Sequence, residues 1–177
     1  MASARRLLIA INLFGGLAVL GSYAYCLTQF PGQVGAFWGD LPDRMRPLYT
    51  VNMFLAAIGY FAFTFFLLFR LDSDVRQGGR SLLAPFNFLY GLILLPSALW
   101  MPLTFMMLES PAAGLWWVIR LVLALVGLGS LGLLAGLVRV RPSEPSAAWR
   151  LSITGALVFS LQTALLDAIV WPAFFPI

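Results

Sequence analysis

No charged residue lies between Arg46 and Arg70, and the most polar side chains in that interval are one asparagine, two threonines and two tyrosines. About 20 residues of helix cross the hydrocarbon core of a bilayer, so this run is long enough to span one. Four further runs meet the same condition, which predicts helices over about 7–28, 48–69, 85–108, 113–138 and 149–171. Helices that are apolar all round belong in a bilayer or deep inside a large protein. This chain has 177 residues, only 10% of them charged, against about 25% in soluble domains. The expected fold class is therefore all-α, an integral membrane bundle of five transmembrane helices in a single domain over 1–177. No internal repeat is evident. The first helix begins after "ARR" and mimics a signal peptide, but "GSYAYC" is a poor cleavage site, so the helix is expected to be retained.

Arginine placement sets the orientation. With a cytoplasmic N-terminus, the inner connections hold Arg5, Arg6, Arg70, Arg76, Arg80, Arg139, Arg141 and Arg150, and the outer ones hold only Arg44 and Arg46. The positive-inside rule then places the N-terminus in the cytoplasm, the C-terminus outside and the long first loop, 29–47, outside. A bacterial inner membrane suits this pattern. The basic balance reports lipid contact and orientation, with no nucleic acid as partner. The stretch "RLDSDVRQGGR" reads as a solvated cytoplasmic turn.

Missing residue types narrow the chemistry. There is no histidine and every basic residue is an arginine, which excludes an imidazole base, imidazole metal ligation and a lysine Schiff base. Cys26 is the one cysteine, so neither an internal disulfide nor a thiolate metal cluster can form. No metal site and no dedicated cofactor is expected. Any acid–base work falls to seven carboxylates, of which Asp167 alone interrupts a predicted helix.

The topology brings several polar and aromatic residues to one depth. At 1.5 Å per residue, Asp167 lies about 6 Å and Arg120 about 10 Å below the outer surface. Trp100, Pro102 and Thr104 of the third helix, and Tyr49 and Asn52 of the second, fall at the same level, with Trp38 in the loop above and Glu109 at the rim. Charges inside a membrane usually face the bundle interior with a partner, so Arg120 and Asp167 are expected to point inward and compensate each other. Three readings stay open: a structural ion pair, a pocket lining, or two side chains that snorkel separately to the interface. Pro96 and Pro102 each free a backbone carbonyl at this level. Trp116 and Trp117 read either as an interfacial aromatic belt or as part of the cluster. Gly132 and Gly136 have the spacing of a close helix contact, either within the bundle or in a homodimer.

Local motifs resemble the TspO/MBR family, the tryptophan-rich sensory and translocator proteins. "RPLYTVNMFLAAIGYFAF" is similar to that family's second helix, "SALWMPLTF" to its third-helix Trp–Pro stretch, "SEPSAAWRL" to the loop before its last helix, and "LLDAIVW" to the Leu-Asn-x-x-x-Trp element of that helix. Asp167 stands where the family usually has asparagine. Met101 separates Trp100 from Pro102, and the first-loop signature is reduced to "FWGDLP". The resemblance implies a hydrophobic small-molecule ligand, such as a porphyrin, haem-like, sterol or isoprenoid compound, held among the helices beneath the first loop. It implies Trp38, Tyr49, Asn52, Trp100, Pro102 and Asp167 as binding residues, and their depth adds Arg120. Two alternatives belong to other classes: a lipid- or sterol-directed enzyme using Asp167 and Glu109 as acid and base, and a non-catalytic assembly subunit.

Overall fold

The computed structural model describes residues 3–71, 76–77, 80–140 and 146–175. Five helices are long and apolar enough to cross a membrane: α1 (Ser3–Gln29), α2 (Arg46–Arg70), α3 (Ala84–Glu109), α4 (Ala113–Arg139) and α5 (Ala147–Phe174). Each contains the span expected from the sequence and extends it by a few residues into the polar flanks. Local chemistry explains some of these ends. Prolines at the first turns of α2 and α3 fit positions where no backbone donor is needed. Ser146 caps α5 by accepting a hydrogen bond from the Trp149 amide at 3.2 Å. Most of the turn over 70–80 lies outside the described residues, and the placed backbone there forms a two-residue antiparallel ladder, β1 (Arg76–Gln77) with β2 (Arg80–Ser81).

The helices pack in the order α1–α3–α4–α5–α2. Glycines set the closest approaches. A Cβ on Gly59 of α2 would lie 2.5 Å from the Gly155 carbonyl oxygen of α5, so these two backbones touch. The expected glycine contact on α4 forms within the bundle: a Cβ on Gly132 would meet Leu89 at 2.8 Å, and one on Gly136 would meet Phe86 at 3.0 Å, both on α3. The α1–α2 seam is different. It is tied by Tyr60 donating to Asn12 Oδ1 at 2.7 Å and by contacts of α1 with the last turn of α2, so the two helices meet chiefly away from the first loop.

Two main apolar clusters result. The larger, around Phe63, Leu67, Phe86, Tyr90 and Leu133, fills the end nearer the N-terminus. The second, around Leu41, Tyr49, Trp116, Ile119 and Trp171, fills the end beneath the first loop. That loop is folded, with two single-turn 3₁₀ helices at Pro31–Gln33 and Ala36–Trp38. It is fastened to the C-terminal end of α5 by Trp171 Nε1 donating to the Phe37 carbonyl at 3.0 Å and by the Asp40 amide donating to the Phe174 carbonyl at 2.7 Å. Leu41, fully buried, is its apolar anchor.

Helix α5 changes its winding partway. It is α-helical to Ser160, π-helical over Leu161–Val170, and α-helical again over Trp171–Phe174. π-Helical segments are rare, mostly a single turn, and frequent at functional sites. This one carries Asp167.

Candidate functional site

Asp167 lies among helices α1, α2 and α5 at the loop end of the bundle. Thr163 and Trp171, one turn to either side, are both buried, which fixes the inward face of α5. Gln162 Nε2 donates to Asp167 Oδ1 at 2.8 Å. Asn52 Nδ2 of α2 in turn donates to Gln162 Oε1 at 2.8 Å. The order Asn52–Gln162–Asp167 is thus a directed chain in which each amide N–H donates a hydrogen bond to the next acceptor.

The chain depends on the π winding. In an α-helix, residues five apart are offset by about 140° around the axis, so Gln162 and Asp167 would point to different faces. The wider winding of a π-helix, with its i→i+5 bonding, brings such residues onto the same face. The same segment joins α4 to α5 through Thr163 Oγ1, which donates to Ser130 Oγ at 2.8 Å, and Ser130 passes its own proton to the Gly127 carbonyl at 2.8 Å.

Aromatic rings enclose the carboxylate's surroundings. Trp100 of α3 packs against Tyr23 of α1 at 6.0 Å between centroids, Phe37 of the loop at 4.9 Å and Trp171 of α5 at 5.9 Å. Trp38 meets Tyr49 edge-on at 5.8 Å. The Tyr23 hydroxyl lies within electrostatic range of Asp167, and the Tyr49 hydroxyl approaches it from α2. The Tyr49 approach falls outside hydrogen-bond geometry, so this buried hydroxyl has no partner. Trp100 Nε1 and Gln33 Oε1 of the covering loop are also buried and unpartnered. Protein atoms surround Asp167 on nearly every side, yet the side chain keeps part of its surface accessible.

The structure brings Trp38, Tyr49, Asn52, Trp100 and Asp167 together, as the shared depth predicted. Pro102, half-buried on α3, sits two positions beyond Trp100. Arg120 departs from expectation. It is exposed on the outer face of α4 with its guanidinium 5.3 Å from the Trp117 ring, and the ion pair with Asp167 does not form. The reason is helical phase: buried Trp116, Ile119 and Leu123 define the inward face of α4, and Arg120 falls outside that stripe. Among the described residues, the only ion pair joins Arg46 and Asp43 at 3.2 Å. Glu109 is exposed at the end of α3. Trp117 is exposed as a belt residue would be, whereas Trp116 is buried and stacks on Phe175 at 5.6 Å.

Sequence reasoning missed Tyr23, Phe37 and Gln162. Gln162 had a visible signal, as an amide in an apolar run, but α-helical spacing separates it from Asp167. An open groove of about 610 Å³ along the outer faces of α4 and α5 is lined almost wholly by carbon, including Leu131, Leu134, Leu157 and Leu161. No group of three or more metal-binding side chains occurs among the described residues. Comparison with protein-family models, curated proteins and solved structures gives no match.

Proposed function

We propose that this chain is an integral membrane protein that binds a hydrophobic small molecule in the half of the bundle beneath the first loop, as a TspO-like sensor or translocator would. The membrane part of the reading rests on the five helices and their outer faces. Phe14, Leu48, Phe54, Phe61, Phe69 and Phe88 are each about 70% exposed, and soluble monomers rarely show apolar surface on such a scale. The arginine distribution supports a cytoplasmic N-terminus.

One observation carries the binding part: of six buried side-chain polar atoms without partners among the described residues, two, Tyr49 Oη and Trp100 Nε1, belong to the aromatic cluster around Asp167. Leaving a buried polar group unpaired costs about 1–3 kcal/mol, and each case in a native fold calls for an explanation such as water or a ligand. Apolar walls with a few convergent polar groups are the usual form of a small-molecule site. The folded loop, pinned to α5, covers it. Glu109 is exposed at the end of α3.

The test is a tryptophan-fluorescence titration of purified protein in nanodiscs with a sterol and with a porphyrin lacking carboxylates. Saturable quenching in wild type that is lost in Trp100→Ala supports the site. Equal, non-saturating responses from both proteins would remove it.

A further inference from the structure

We infer that the ligand of this site is a hydrophobic organic cation, an amine or quaternary onium compound, whose charge is met by Asp167. This rests on the binding reading above and specifies it.

The argument begins with what Asp167 lacks. The chain has no lysine or histidine, and the arginine expected to neutralise Asp167 faces outward onto Trp117. Arg46, at the start of α2, is engaged by Asp43 at 3.2 Å and by the Leu41 carbonyl at 3.3 Å. The only described hydrogen bond to the Asp167 carboxylate comes from the neutral amide of Gln162, to Oδ1. A carboxylate enclosed by protein without a cationic partner is a costly arrangement, relieved either by taking up a proton or by a positive charge brought to it.

The surrounding rings favour the same sign of charge. Aromatic faces are electron-rich and attract cations within about 6 Å, most strongly when water is excluded. Tyr23, Trp100 and Trp171 form a continuous wall, with successive centroid separations of 6.0 and 5.9 Å. Tyr49 is only 4% exposed and its hydroxyl is unpartnered beside the carboxylate, so its oxygen lone pairs can face a cationic headgroup, and can accept an N–H where the ligand is an amine. An anionic ligand would meet the carboxylate with no arginine to offset it. By this logic a ligand bearing carboxylates is rejected, and an amine of the same bulk is retained.

The test compares three probes of matched shape against purified protein in nanodiscs, each corrected for binding to empty discs: phenylbutyltrimethylammonium, its uncharged isostere with carbon in place of nitrogen, and phenylvalerate. The cation is expected to quench tryptophan fluorescence saturably, about tenfold or more tighter than the isostere, with phenylvalerate weakest. Asp167→Asn should erase that preference while Asp167→Glu retains part of it, each variant first shown to keep the wild-type helix content. Tyr49→Phe, which retains the ring, should weaken the cation less than Asp167→Asn does. If the isostere binds as tightly as the cation, or Asp167→Asn leaves the preference intact, the charge assignment fails while the hydrophobic site stands. If none of the three binds saturably and the sterol is ignored as well, both are overturned.

Discussion

Gln162 and Asp167 are hydrogen-bonded at 2.8 Å although five residues separate them on the same helix. The π-helical stretch Leu161–Val170 makes that pairing geometrically available. It also turns a lone carboxylate in an apolar helix into the end of a chain that begins at Asn52 on a different helix. Winding, polar satisfaction and the coupling of α2 to α5 are therefore one feature.

Replacing Gln162 by leucine tests that coupling. The variant keeps bulk but removes the donor to Asp167 and the acceptor for Asn52. Two buried polar groups left without partners should lower stability by about 2–4 kcal/mol, at roughly 1–2 each. Reversible unfolding in mixed micelles reads this. A loss below about 0.5 kcal/mol would mean that the chain does not hold α5 in place.

Arg120→Gln separates the observed arrangement from the expected one. Breaking a buried ion pair costs about 3–5 kcal/mol, whereas an exposed cation–π contact contributes about 0.5–1. With Arg120 stacked outward on Trp117, thermal stability should fall by no more than about 1 kcal/mol, and ligand titrations should be unchanged. A severe loss would return Arg120 to the interior.

Much of this was legible in the sequence, and the limits have physical causes. Length and apolarity specify a helix able to span a membrane almost independently of partners, so all five helices could be placed from the chain alone. Depth follows from position along a helix, which is why Tyr49, Asn52, Trp100 and Asp167 could be grouped. Angular position is less secure, because it depends on where a helix meets its neighbours and on uniform winding. Arg120 was assigned to the wrong face. Gln162 was hidden because the period of α5 changes beneath it. Tyr23 and Phe37 needed the packing of α1 and the folded loop, neither of which has a local motif.

The α2–α5 crossing supplies a sharper stability test. Gly59→Ala would place a methyl 2.5 Å from the Gly155 carbonyl oxygen and must push the helices apart. Overpacking of this kind costs about 1–3 kcal/mol. Gly16→Ala has nothing within 4 Å of the new Cβ and should be neutral or stabilising by up to about 1 kcal/mol, from helix propensity. Unfolding midpoints of the two variants in the same detergent decide it. Equal midpoints would contradict the close approach.

Trp100 is expected to separate stability from binding. Its ring packs tightly, but its Nε1 is buried without an acceptor. Trp100→Phe removes the unpaired donor while keeping an aromatic face, so the ligand-free protein should change by less than about 1 kcal/mol. Affinity for a ligand that accepts from this donor should fall about fivefold or more, the equivalent of about 1 kcal/mol. Parallel melting curves and binding isotherms compare the two effects. A large melting shift with unchanged affinity would assign Trp100 to packing alone.

The central claim is that a hydrophobic ligand sits inside the bundle beside Asp167. Photoaffinity labelling with an uncharged hydrophobic diazirine, followed by peptide mapping, tests this most directly. The account predicts labelling at Tyr23, Tyr49, Trp100 or Asp167 that excess unlabelled probe suppresses. Labelling confined to the outer groove at Leu131, Leu134 and Leu161, or spread over the outer faces and insensitive to competitor, would contradict it.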